Sequence, residues 1–263
     1  MKERCESILK DLTGKKFILF VKRGNTAIRL ALKLVKRLGY KKVLMQDQGG
    51  WLTYKSSCKK EKLEPVELGT HYGMIRYTTI KYYSDCALLM NSMPGYHALQ
   101  TMKLFEKVCK EQKIFLINDA TGSIGTPQAE TGDVIFGSLG DDKPINLGHG
   151  GFIATDKYEH LKFLQENNPE YKIDFELLLK RLNNLNKRLN YYRLTRNKIL
   201  DDLKDYDIIH SNRQGINVIV RYYTERERER LINYCNNEKL EYTICPRAIR
   251  VKERAVCIEV KRK

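Results

Sequence analysis

The sequence has no apolar run approaching the ~20 residues that a bilayer-spanning helix needs. Its first residues, MKERCESILKDL, read as a charged helix and hold no apolar segment of the signal-peptide kind. The expectation is a cytoplasmic chain with no membrane partner. Paired cysteines are missing too: Cys5, Cys58, Cys86, Cys109, Cys235, Cys245 and Cys257 are scattered, with no CxxC spacing and an odd total. That pattern argues against a disulfide frame and a zinc site, so no metal is expected and the thiols read as reduced. Cys86, Cys109 and Cys257 lie among apolar residues, where cysteine acts as a small core side chain. There is no internal repeat, no low-complexity linker and no basic block interleaved with aromatics, so composition alone does not show nucleic-acid binding. Acidic residues are also in short supply: 32 Asp and Glu face 48 Lys and Arg, a formal net charge of +16. Such a field favours anionic partners such as phosphorylated metabolites, sugar nucleotides or RNA, and a lysine-rich composition explains it equally well.

What remains is the material of a folded globule. The 263 residues are 42% hydrophobic with 16 tyrosines, somewhat long for one average domain. FILFV (17–21), KKVLMQ, DCALLMNS (85–92), KIFLIND (113–119), GDVIFGS (132–138) and GGFIAT (150–155) are apolar runs of strand length. Between them, RGNTAIRLALKLVKRLGY repeats apolar residues at helical spacing up to Gly39, and GYHALQTMKLFEKVCKEQ is a second amphipathic stretch. Strands that are apolar throughout, alternating with helices, imply an α/β fold with a mostly parallel sheet covered on both faces. From Asp174 to about Lys204 the spacing predicts a single long helix with one break at Arg196. INVIVRYY, TERERERLINYCNNEKL, YTICP, AIRV and AVCIEVKR then alternate strand and helix signals. The expected organisation is a large α/β domain over 1–173, a connecting helix over 174–204 and a small α+β domain over 205–263. The Glu/Arg alternation at 225–230 is explained by a solvated helix face.

Ligands of open α/β sheets bind at the carboxyl ends of the strands. Gly24, Asn25 and Thr26 open the first long helix, and free amides at a helix N-terminus suit a phosphate, although glycine there serves a turn as readily. Trp51, the only tryptophan, follows a strand end and could cover a flat ring or fill a core. Asp119 and Ser138 each end a strand, positions that suit a ligand cleft as well as a turn. Lys143 sits five residues beyond Ser138 in a polar loop, before Gly148, Gly150 and Gly151.

This ordered set resembles the fold-type I pyridoxal-phosphate (PLP) enzymes, and most closely the DegT/DnrJ/EryC1/StrS aminotransferase family. GNTAIRLALKLV is similar to that family's phosphate segment, NSMPGYHALQTMKLFEKVCKEQKIFLINDATGSIGT to its central strand segment, and SLGDDKPINLGHGGFIAT to its lysine segment. The resemblance implies a PLP-dependent transferase fold of the aspartate aminotransferase type. It also implies a homodimer using a small-molecule amino donor and an anionic carbonyl acceptor. Lys143 would form the aldimine with the cofactor and then move a proton. Asp119 would pair with the pyridinium nitrogen, Trp51 would stack on the ring, and Gly24, Asn25, Thr26 and Ser138 would hold the phosphate. The implied activity is amino-group transfer. Another PLP reaction, such as a lyase or replacement, including one on aminoacyl-tRNA, stays open, as does a shortened non-catalytic relative that binds a partner or RNA. Three places depart from the family: Gly122 where it has His or Gln, YKIDFELL where it has an Asn motif, and Asp141 and Asp142 beside Lys143.

Overall fold

The computed structural model describes residues 1–262. The chain begins with α1 (Lys2–Thr13), β1 (Phe17–Val21), α2 (Gly24–Arg37), β2 (Lys42–Gln46), α3 (Tyr54–Lys60), β3 (Glu64–Leu68) and β4 (Ala87–Asn91). It continues with α4 (Met102–Glu111), β5 (Phe115–Asp119), β6 (Val134–Ser138), β7 (Gly151–Thr155) and α5 (Tyr158–Asn167). The seven strands form one sheet in the order β1-β7-β6-β5-β4-β2-β3. β2 pairs in parallel with β3 and β4, β4 with β5, and β5 with β6, while β7 runs antiparallel between β6 and β1. This is the α/β architecture with a mostly parallel sheet that the apolar runs implied.

Successive strand side chains point to opposite faces, which is why these strands are apolar throughout. Val43, Met45, Ala87, Leu89 and Phe136 pack with the buried stripe of α2, including Ile28, Ala31 and Val35. Leu44, Leu88, Met90 and Leu116 pack on the other face with Phe105 and Val108 of α4. Because β1, β2, β4, β5 and β6 all run the same way, their carboxyl ends share one edge of the sheet. The register there sets Asn91 beside Asp119, Asp119 beside Phe136, and Ser138 beside Gly151.

Two helix expectations are corrected. The second amphipathic stretch becomes helical only at Met102, because Gly95 and Tyr96 adopt left-handed backbone (φ 56° and 65°) and the Leu99 amide bonds the Gln214 carbonyl instead. The long helix over 174–204 is two helices, α6 (Phe175–Asn183) and α7 (Leu185–Asp202), meeting at Asn184, whose side-chain amide donates to the Lys180 carbonyl. Arg196 does not break α7; it is buried in it. A polar side chain that competes for backbone groups stops a helix more effectively than a charge on an apolar face.

Beyond α7, β8 (Val218–Arg221), α8 (Glu225–Asn237), β9 (Tyr242–Cys245) and β10 (Ala255–Ile258) build a second antiparallel sheet, ordered β8-β10-β9. The Glu/Arg run opens α8 through a capping box between Thr224 and Glu227. AIRV is no strand: the Arg250 amide turns back to the Arg247 carbonyl. All seven cysteines are buried and free. Among the described residues no helix is long and apolar enough to cross a membrane.

The two sheets meet through the 94–101 loop, whose His97 is 1% exposed with neither ring nitrogen in a well-formed hydrogen bond. Its ring stacks on His210 at 5.6 Å. Burial, then the charge of His210, push its pKa from 6.5 down to about 3. A histidine depressed in this way contributes stability that is fully present above its unfolded value, 6.5, and is lost as pH falls towards about 3. We expect His97→Leu to flatten that limb, so that between pH ~6.5 and ~4.5 the native protein loses about 2 kcal/mol more stability than the variant. Urea midpoints at the two pH values measure this, and equal losses would refute it.

Candidate active site

A cavity of about 420 Å³ opens at the shared carboxyl edge of the strands, within the size range of small-molecule sites. Six of the seven sequence-predicted residues line it: Gly24, Asn25, Trp51, Asp119, Ser138 and Lys143. They converge because the parallel strands deliver their ends to one place. Thr26 is not part of the lining; its amide is taken up by the Arg23 carbonyl at 2.9 Å, in the first turn of α2. Arg23 lines the cavity where Thr26 was expected.

Asp119 ends β5 and is 4% exposed. Burial raises its pKa, opposed by the hydrogen bonds it accepts and by the charge of Lys143. Tyr54 Oη donates to Oδ2 at 2.5 Å, while the Thr121 hydroxyl and amide donate to Oδ1 at 2.5 and 3.0 Å. The Thr121 hydroxyl also accepts from the Ser138 amide at 3.0 Å, fixing the end of β6 against the acid.

At the opposite wall α2 begins. A Cβ on Gly24 would lie 2.9 Å from Ser138 Cβ, so glycine alone lets the helix start come this close to the strand-end hydroxyl. The geometry makes an oxyanion cradle of a helix N-terminus and a serine. Asn25 Oδ1 accepts from Trp51 Nε1 at 2.7 Å and from the Thr53 hydroxyl at 3.3 Å, which anchors the half-buried indole at the rim. Lys143 Nζ sits 5.5 Å from the indole centroid and 5.6 Å from that of Tyr96. Its pKa is lowered, chiefly by burial and then by the guanidinium of Arg250, against the opposing charges of Asp119, Asp142 and Glu259.

Three contributors were absent from the sequence reading. Tyr54 reaches Asp119 from α3, with no motif around it. Tyr96 and Arg250 approach from the loop before α4 and from the second sheet. The family's His or Gln position holds Gly122 because a Cβ there would fall 3.0 Å from Tyr96 Cδ1. Asp142 also has a structural reason: its carboxylate lies 3.7 Å from Arg262 Nε, tying the Lys143 loop to the C-terminal segment. Asp141 stays exposed at the rim, and nothing in the structure explains it. Among the described residues no group of three or more His, Cys, Asp or Glu could hold a metal ion.

The model of the MJ1341 family C-terminal domain matches residues 182–262. No curated protein matches the chain. Among solved structures, 3-amino-5-hydroxybenzoic acid synthase superposes with a TM-score of 0.77 at 13% identity, over 99% of this chain and 85% of its own. A DegT DnrJ EryC1 StrS aminotransferase from Brucella abortus gives 0.74 at 15% identity, over 98% and 84%. The E. coli GDP-4-keto-6-deoxy-D-mannose-3-dehydratase, solved with bound hydrated PLP, gives 0.75 at 16%, over 97% and 86%. At these identities the likeness is one of fold. The chain has the fold of the type I PLP-dependent transferases, the class its motifs resemble.

A carboxylate whose folded pKa is raised contributes stability that is present below the unfolded value, near 4, and is lost as pH rises through the folded value. Asp119→Asn removes that loss. The variant is expected to gain on the native protein by about 1 kcal/mol between pH ~4 and ~7, measured by urea denaturation at both. A variant that is less stable at pH ~7 than at pH ~4, relative to native, would contradict the buried ionised acid.

Proposed function

We propose that the protein is a PLP-dependent enzyme that moves an amino group from an amino acid to an anionic carbonyl acceptor, with Lys143 as the reactive amine. The observation that carries this reading is the pairing of a half-buried amine whose pKa is lowered with a buried, hydrogen-bonded carboxylate across one cavity. The residues present fit the cofactor: an amine for its aldehyde, an acid for its ring nitrogen, an indole for its face, and the Gly24–Ser138 cradle for its phosphate. Bound there, PLP would supply the electron sink for chemistry at the amino-acid Cα.

Each residue then has a task its setting supports. Tyr54 and Thr121 keep Asp119 ionised against its burial, so that it holds a proton on a nitrogen placed beside it. Lys143, with its ammonium form disfavoured, has the free base to accept a proton from Cα and return it to the neighbouring carbon. Trp51, held by Asn25, excludes water from one face. Arg23 and the first turn of α2 attract the phosphate. The net charge of +16 suits an acceptor bearing a second anionic group. A homodimer acting in the cytoplasm belongs to the same reading, supported by the fold resemblance alone, and size-exclusion chromatography tests the assembly.

Incubation with PLP is expected to give a visible absorption band that survives dialysis and is abolished in Lys143→Ala. Adding an amino acid should then convert the bound cofactor to pyridoxamine phosphate. A protein that forms no band is not a PLP enzyme. A band without pyridoxamine phosphate, but with release of a keto acid and ammonia, would replace transfer by elimination.

A further inference from the structure

Tyr96 stands where nothing in the sequence marked a functional residue. Its left-handed backbone (φ 65°) is uncommon for a bulky side chain and signals a conformation enforced by its surroundings. The enforcement is visible: its carbonyl accepts the amides of Ile216 at 2.7 Å and Asn217 at 2.8 Å, tying this loop to the second sheet. The ring lies against Gly122 and lines the cavity.

Three cations converge on that ring. Lys143 Nζ, Arg250 Cζ and Lys261 Nζ lie 5.6, 5.5 and 5.3 Å from its centroid. Arg250 and Lys261 belong to the second sheet and are gathered by Glu259. Arg250 donates from Nε and Nη2 to its two carboxylate oxygens at 2.8 and 2.9 Å, and Asn217 Nδ2 donates to it at 2.9 Å. Lys261 Nζ stands 3.4 Å from the same carboxylate. Arg250, Glu259 and Lys261 are 5%, 1% and 2% exposed. Two buried positive groups thus share one negative group, an arrangement that disfavours folding unless the surplus charge has a use.

We propose that Lys261, fixed by Glu259 beside Arg250, is a positioning residue for the Lys143 amine, acting across the ring of Tyr96 on which the three cations converge. The inference rests on Lys143 being the reactive amine of the proposed function. The groups facing Lys143 are Asp119 on β5, Asp142 on its own loop, and Arg250 and Glu259 from the second sheet. Those facing Lys261 are Glu259, Arg250, Lys143 and Arg262, and the Tyr192 hydroxyl of α7 fixes its backbone by donating to its carbonyl at 3.1 Å. Burial brings Lys261 down to about 8. A second ammonium in the same low-dielectric wall makes protonation of Lys143 less favourable, which preserves the free base that attacks an aldehyde or accepts a proton. The Asp142–Arg262 contact keeps the loop and the C-terminal segment in register.

The test uses cofactor-free protein. Lysines are reductively methylated across a pH series, and modification of Lys143 is followed by mass spectrometry. In Lys261→Met the midpoint for Lys143 should rise by about one pH unit, a roughly tenfold loss of reactivity at a given pH below it. Lys261→Arg, which keeps the charge, should leave the midpoint at or below the native one. A residue that only packs would leave the Met variant at the native midpoint, and that result in a folded variant overturns the proposal. So does an upward move in Lys261→Arg, which decides the matter if the Met variant fails to fold. Because no cofactor takes part, a protein with the expected midpoints but no PLP band would sink the enzyme reading and leave this inference standing.

Discussion

Asp119 can be a carboxylate at the end of a buried parallel strand only because Tyr54 and Thr121 donate to it and Lys143 faces it. An ionised group out of water needs several partners, since no single hydrogen bond offsets its lost hydration. Those partners come from four separate elements: the start of α3, the turn after β5, the end of β6 through Thr121, and the loop before β7. The packing of the sheet is therefore arranged around one charge. Changes that appear to concern the core, such as a shift of α3 on β2, would alter the electrostatics of the site directly.

The parallel sheet was legible because its signal is local and redundant. A run such as ALLMN (87–91) is apolar at every position, and only a strand covered on both faces needs that. The site residues that were legible were those fixed by strand ends. Once the strands are parallel, Asp119, Ser138 and Lys143 must approach one edge, whatever the detailed packing. Thr26 failed this test by one position, since which amide of a first turn stays free depends on the cap geometry at Arg23.

Tyr54, Tyr96, Arg250 and Lys261 were not legible for a different reason. Each reaches the cavity through a long-range contact that leaves no trace in its neighbours along the chain. Tyr54 sits on a short helix with no periodic signal, and its hydroxyl finds an acid 65 positions away. Tyr96 lies in a stretch whose apolar spacing reads as helix, and the helix is overridden by hydrogen bonds to residues 214–217. Lys261 looks like one of many C-terminal lysines, and only the packing of the second sheet reveals it as buried. Asp142 was an anomaly beside Lys143 until Arg262 appeared as its partner.

The way the two sheets join explains why these late residues matter. The Gly49 amide donates to the Ala248 carbonyl at 2.7 Å, the Gly95 amide to the Gly49 carbonyl at 2.8 Å, and the Lys252 amide to Gln48 Oε1 at 2.7 Å. The loop bearing Trp51, the loop bearing Tyr96 and the loop bearing Arg250 are thus laced to one another at the rim. A hinge between the sheets would have to break several of these bonds together, so the second sheet acts as a fixed wall rather than a lid. A fixed wall can hold a field as well as a shape. Placing buried cations there, away from the loop that carries Lys143, separates the group that would react from the groups that set its charge. That separation lets the reactive loop stay mobile enough to work without losing its electrostatic setting.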